Sequence, residues 1–388
     1  MEYFHTVIIG GGASGLFCAG SFPARKLVLD HNILPGKKVS ISGGGKCNFS
    51  NLYLSAQDYL CTQKHFPKNA LAAFSPADFT ALLDQAHISY APREEGQLFA
   101  HNAKEIVRFL VNRAKSQNTH FSLNTQALAI QKTDNGFVIQ TSKGLLGAQQ
   151  VVLACGGLSY PSLGASSFGK KIAQQFGLSF VEQRPALCGL LFPKNLRVTF
   201  SPLAGNSTFC IAQTAHHAFK GSLLFTHEGV SGPVILQSSL FWTAQQPVQI
   251  DFLPGIDALS FLYQHKNDTR TIGRVLAEKL SPKISKSLLG SLDTPLCNIS
   301  KRDLQAAAQL LNRFTFIPQG TAGYTKAEVT AGGVDTKEIN PHTFECKKIK
   351  GLYIIGELLD VTGRLGGFNL HWAWASAHVC AQALRKIP

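Results

Sequence analysis

Three things are missing from this sequence, and each removes a class of protein. No uninterrupted apolar run reaches the roughly 18 to 20 residues that cross a bilayer, so a membrane protein is not expected. None of the nine cysteines (Cys18, Cys47, Cys61, Cys155, Cys188, Cys210, Cys297, Cys346 and Cys380) stands in a Cys-x-x-Cys pair, which fits reduced thiols better than disulfides and implies no metal site. No internal repeat, low-complexity tract or short RNA-recognition signature appears. The beginning of the chain carries Glu2 and no basic stretch, and cleavage of a leader there would remove the glycine-rich segment that follows, so the cytoplasm is the expected compartment. Acids are also scarce, 23 against 37 Lys and Arg, giving a net charge of +14. That excess permits binding to a polyanion such as RNA, and a merely solvated basic surface explains it equally well. From 170 to 220, Lys170, Lys171, Arg184, Lys194, Arg197 and Lys220 face the single acid Glu182.

What is present is a chain of 388 residues, 45% hydrophobic, long enough for two or three domains with sizeable cores. An apolar strand at Thr6 to Ile9 runs into Gly10-x-Gly12-x-x-Gly15, and a second strand, Leu27 to Leu29, ends at Asp30. This is the βαβ setting of a dinucleotide site. The glycines serve a tight turn, close approach to a pyrophosphate and helix–strand packing, while Asp30 can accept from ribose hydroxyls.

Further along, Ser75-Pro76 predicts a capped helix with Phe79, Leu82 and Leu83 inward, and a second helix begins near Lys104. Segments Leu123 to Ile130, Phe137 to Thr141 and Val151 to Ala154 read as strands, the last returning to the nucleotide through Cys155-Gly156-Gly157. Short β segments follow between about 186 and 253, then helices over 257–314, with Ser300 and Asp303 as a capping pair. A final strand, Gly351 to Ile355, leads through Gly356-Glu357 and Asp360 to Gly366-Gly367, which opens an apolar helix from Trp372 to Leu384. A helix start aimed at the reactive end of a cofactor suits an anionic reduced flavin, a demand that nicotinamide chemistry does not make.

Four stretches carry a resemblance: Ile41–Asn51 with its Ser-Gly-Gly-Gly-Lys-Cys-Asn core, Leu223–Pro233, Glu328–Asp335 and Gly356–Leu370. In this order they resemble the hallmarks of the YhiN/BaiN/aminoacetone-oxidase group of flavoproteins, the YhiN branch above all. The resemblance implies an α/β fold: a Rossmann-like FAD-binding domain built from both chain ends (1–185 and 322–388), with an inserted β-barrel-like domain (186–253) and a helical subdomain (254–321). It implies FAD contacts at Gly10, Gly12, Ala13, Ser14, Gly15 and Asp30, and at Lys38, Ser42, Gly43, Gly44, Gly45, Cys47 and Asn48. Further contacts are implied at Ala127, Ala154, Cys155, Gly156 and Gly332, then at Gly356, Glu357, Asp360, Gly366, Gly367, Phe368, Asn369 and Leu370. Lys46 stands where many relatives have Arg, Phe368 where they have Tyr, and Cys155 where Thr is common; no fingerprint glycine is lost.

The YhiN branch implies reduction of a uridine in 23S ribosomal RNA to dihydrouridine with NAD(P)H as donor. Other branches imply enone reduction or amine oxidation on a small molecule, and a flavin-containing RNA-binding protein without enzymatic activity is a third reading. Reducing uracil needs a hydride at C6 and a proton at C5, hence a neutral acid beside the base. Cys47, a thiol mostly protonated at neutral pH, is the expected donor, with Asn48 as a partner for the uracil edge. His227 in the Thr-His-Glu-Gly segment is the second candidate and Tyr160 the third, and each also reads as an ordinary packing or turn residue.

Overall fold

A computed structural model describes residues 1–387 and divides the chain into two compact units, Met1–Pro185 with Glu328–Pro388, and Ala186–Ala327. The first unit is therefore made from both ends of the chain. Its main sheet runs in the order Thr119–Ser122, Lys26–Leu29, Glu2–Ile9, Gly144–Leu153, Gly136–Thr141, Ala127–Thr133. The first four strands are parallel neighbours and the last two extend the sheet as antiparallel hairpins. Leu352–Ile354 joins the far half of Gly144–Leu153 in parallel. Lys26–Leu29 is buried along its whole length, as expected of a strand covered on both faces.

The register sets up the site. Ile9 pairs with Leu29 and Leu153, and Leu153 pairs with Ile354. Gly10, Asp30, Ala154 and Ile355 consequently leave the sheet side by side at its carboxyl edge, where open α/β sheets bind ligands. The fingerprint helix Ala13–Ala19 packs on the sheet and against the 18-residue C-terminal helix Phe368–Arg385, whose Trp374 meets the rings of Phe17 and Phe79.

Local signals explain several elements. Ser75 and Asp78 form a reciprocal capping box ahead of the helix Pro76–Gln85, and Asn102 caps Ala103–Ser116. One expectation fails: the strand foreseen at Leu123 to Ile130 begins only at Ala127. Residues 123–126 are a turn in which Asn124 takes a positive φ of 50° and Thr125 donates to the Asp30 carbonyl, while Thr119–Ser122 supplies an edge strand instead.

The second unit is a seven-stranded antiparallel sheet ordered Phe314–Phe316, Val248–Asp251, Ser207–Gln213, Ala218–Phe225, Gly229–Ser231, Leu190–Leu191, Gly320–Thr321. The sequence suggested separate β and helical domains divided at 253/254. In the structure both halves share one core, in which Leu223, Phe225 and Ile250 of the sheet join Leu262, Ile272, Leu304 and Leu311 of the helices. Neither half covers its apolar face alone, so the two fold as layers of one body. The chain returns to the first unit at Glu328 rather than at 322. Among the described residues, no helix is long and apolar enough to cross a membrane.

Candidate functional site

The fingerprint glycines divide into sealed and open positions. Gly10 has φ of +113°, and a Cβ there would stand 2.3 Å from the Ala154 carbonyl oxygen; one on Gly15 would stand 1.9 Å from that of Gly10. These two are glycines because protein backbone leaves no room. At Gly12 a Cβ would meet no atom within 4 Å, and no side chain caps the helix that starts there. Its first N–H groups, with Ala13 and Ser14, therefore face outward with the positive end of the helix dipole, as a pyrophosphate requires. Asp30 is held beside them: its carboxylate accepts from the N–H of Gly11 and from that of Asn32, both at 2.7 Å. Ala127 starts the strand two residues beyond the Thr125 that bonds to Asp30.

The C-terminal segment closes against this turn. Gly356 has φ of +71°, and a Cβ there would stand 2.5 Å from the Ser14 hydroxyl; its N–H donates to Ser376 Oγ and its carbonyl accepts from Trp372 Nε1, both at 3.1 Å. Next to it, Glu357 accepts from Lys38 Nζ at 2.9 Å and from the Thr330 N–H at 2.9 Å. On Gly156, also at φ of +71°, a Cβ would stand 3.8 Å from a Glu357 carboxylate oxygen. The C-terminal helix starts at Gly367, again without a side-chain cap, so the amides of Phe368, Asn369 and Leu370 have no intrahelical acceptor. Asn369 locks the turn before it, accepting from the Gly363 N–H at 2.8 Å and donating back to the Gly363 carbonyl at 2.9 Å. Asp360 is spent on Thr62, accepting from its N–H at 3.0 Å and its hydroxyl at 2.6 Å.

The loop at 42–48 combines both kinds of position. Helix Lys37–Gly45 breaks at Ser42, and Gly43 and Gly44 turn left-handed at φ of +57° and +66°. A Cβ on Gly43 would stand 2.8 Å from the Asn48 nitrogen, whereas Gly44 and Gly45 face no protein atom within 4 Å. Cys47, itself at φ of +54°, closes the loop by donating its N–H to the Ser42 carbonyl at 2.9 Å. Its side chain is 0% exposed, and burial pushes the thiol up to about 12. The thiol is covered by protein on all sides in this conformation. A proton donor at this position would need the loop 42–48 to open toward the base. Asn48 is also engaged, its amide lying 3.2 Å from the Gly367 N–H and from the Leu98 and Ser50 carbonyls, which ties the loop to the start of the C-terminal helix.

Other expected residues separate in the same way. Cys155 leans on the Ile9 carbonyl at 3.5 Å, and burial beside Asp30 pushes its thiol up to about 12. Gly332 is explained by packing, since a Cβ there would stand 2.2 Å from the Glu182 carbonyl oxygen. Tyr160, at φ of +59°, donates to Glu328 at 3.3 Å, and partial burial with that carboxylate raises its hydroxyl above the usual range. His227 is exposed at the tip of a hairpin in the second unit. Two residues went unnoticed in the sequence. His371 is 0% exposed, between the Ser50 hydroxyl at 2.8 Å and the Phe74 carbonyl at 3.0 Å, and burial lowers it to about 4. Asn51 joins Gly366 to the Glu95 turn. Both pairings span some 300 positions, and only Asn51 had a signal, as the end of the Ile41–Asn51 stretch.

Two uncapped helix starts, an acid at the end of the second strand and glycines open to ligand fit a dinucleotide lying along the carboxyl edge of the sheet. Residues 4–383 match the family model described as HI0933-like protein Rossmann domain. The chain belongs to that family. It is 41% identical to a ribosomal RNA dihydrouridine synthase of Escherichia coli K12, over 99% of this chain and 98% of that protein. A protein of the same name from Haemophilus influenzae is 36% identical over 99% of each chain. A 3-dehydro-bile acid delta(4,6)-reductase of Clostridium scindens is 27% identical over 98% of this chain and 99% of its own length.

Proposed function

We propose that this chain is a cytoplasmic FAD-dependent oxidoreductase that reduces a uridine of 23S ribosomal RNA to dihydrouridine, with NAD(P)H as electron donor. The observation that carries the reading is the 41% identity, end to end, with a protein named for that reaction. Uracil suits a flavin because its C5–C6 double bond is conjugated to the C4 carbonyl, so hydride enters at C6 and a proton at C5. When bound, FAD supplies that hydride.

The chain's own residues bind and orient. The amides at Gly12 to Ser14 would hold the pyrophosphate, Asp30 the ribose, and the amides at Phe368 to Leu370 the electron-rich edge of the ring. Lys38, kept in place by Glu357, adds a cation beside this site. The proton for C5 must come from a group with accessible surface. Exposed His227 meets that requirement where Cys47 does not, and it is the first residue to change. Exposed Lys171, Lys194 and Arg197 are available to RNA phosphates.

The similarity to a bile-acid reductase supports a second reading, reduction of a small conjugated ketone. Single-turnover reoxidation of the reduced flavoprotein separates the two. Fast reoxidation by unmodified ribosomal RNA and slow reoxidation by a steroid enone is expected, and the reverse order would transfer the assignment.

A further inference from the structure

Six residues past the sealed thiol, the chain exposes an aromatic ring on a rigid turn. Tyr53 is 73% exposed and Leu52 51%, although their backbone is firmly held. Leu52 donates its N–H to the Gly96 carbonyl at 2.8 Å, and Tyr53 donates its own to Asn51 Oδ1 at 2.9 Å. Beneath the ring, Glu95 and Gly96 take positive φ of 56° and 74°, and a Cβ on Gly96 would stand 2.6 Å from the Tyr53 ring. Glycine there lets the ring descend onto backbone, which fixes it from one side and leaves the rest to solvent.

The anchor of this turn also belongs to the cofactor site. Asn51, 2% exposed, donates through Nδ2 to the Glu95 carbonyl and to the Gly366 carbonyl, each at 3.0 Å. One buried amide therefore sets both the ring of Tyr53 and the turn that starts the C-terminal helix. The ring is thus held by backbone on one side while its other side stays open to a flat ligand.

We propose that Tyr53, with Leu52 beside it, is a stacking platform for a nucleobase of the RNA strand that carries the target uridine; this rests on the RNA reading above. Sequence-tolerant recognition of single-stranded RNA places unstacked bases on aromatic faces. The neighbouring charge selects the base over the backbone: Glu94 and Glu95 are exposed on the adjoining turn, where their carboxylates repel phosphate and can accept from base N–H groups. The cation on the same turn, Arg93, is held over the Phe99 ring at 4.2 Å.

The test uses the FAD-loaded full chain and a labelled single-stranded oligoribonucleotide containing uridine, with affinity read by fluorescence anisotropy across a salt series. Tyr53→Ala is expected to weaken binding roughly 5- to 150-fold, the range carried by loss of one base–aromatic stack, with Tyr53→Phe and Tyr53→Trp close to the parent. Flavin content and the slope of affinity against salt should not change, because no phosphate contact is lost. Unaltered affinity of Tyr53→Ala, or loss of flavin together with RNA binding, would overturn the platform and leave the RNA reading standing. Failure of the parent protein to bind the oligonucleotide would overturn both.

Discussion

Residues 42–48 and 51–53 lie almost next to each other in the chain and invert what their side chains suggest. The first holds the chemically prominent group, the Cys47 thiol, completely covered; the second holds an unremarkable Leu-Tyr pair and presents both to solvent. The glycines repeat the contrast, with Gly10 and Gly15 pressed on backbone and Gly12, Gly44 and Gly45 facing no protein atom. Residue type proposes a role, but surface decides whether a ligand can ever meet the group.

The contrast breaks most visibly at the fingerprint. Gly15→Ala puts a methyl 1.9 Å from a backbone oxygen that cannot retreat and should cost about 3 kcal/mol or more, read as a fall in the unfolding midpoint. Gly12→Ala should cost the ligand-free fold about 1 kcal/mol or less, yet lower FAD affinity at least about tenfold, because the methyl points where the pyrophosphate must lie. Equal flavin loss with equal destabilisation in both variants would erase the distinction between sealed and open positions.

A sealed position also predicts a pH dependence. His371 has a folded value of about 4 against an ordinary 6.5, so between these the unfolded chain binds a proton that the folded chain refuses. Stability should fall as pH drops from 6.5 to 4, by about 3 kcal/mol in all from this group, and level off below. His371→Gln should flatten that part of the profile in calorimetric scans, and an unchanged slope would mean that the ring is not held neutral.

Cys47→Ala sharpens the comparison further. Removal of a covered thiol should lower stability by about 1–2 kcal/mol and leave uridine reduction within about tenfold of the parent. A loss of about 10² to 10⁴ in single-turnover rate, with FAD retained, is what an essential general acid would show, and it would require the 42–48 loop to open during turnover. His227→Ala is expected to show that larger loss instead.

Short-range chemistry was legible in the sequence. The spacing of Gly10, Gly12, Gly15 and Asp30, and the pairs Ser75/Asp78 and Ser300/Asp303, act within a turn or a single βαβ unit, and the structure places each as its spacing implies. Relations made across the chain were not. The hydrogen bond from Asn51 to Gly366, the burial of His371 between Ser50 and Phe74, and the common core of Ile250 with Leu304 depend on segments far apart in sequence. The closure over Cys47 belongs with these, since no spacing reveals which neighbours will cover a side chain.

The central claim is reduction of a uridine in ribosomal RNA, and the modification itself tests it most directly. Large-subunit ribosomal RNA from a strain lacking this chain, from its parent and from the complemented strain should be mapped for dihydrouridine. A site present in the parent, absent from the deletion strain and restored by the wild-type chain is the predicted result. Identical dihydrouridine maps in all three strains would contradict it.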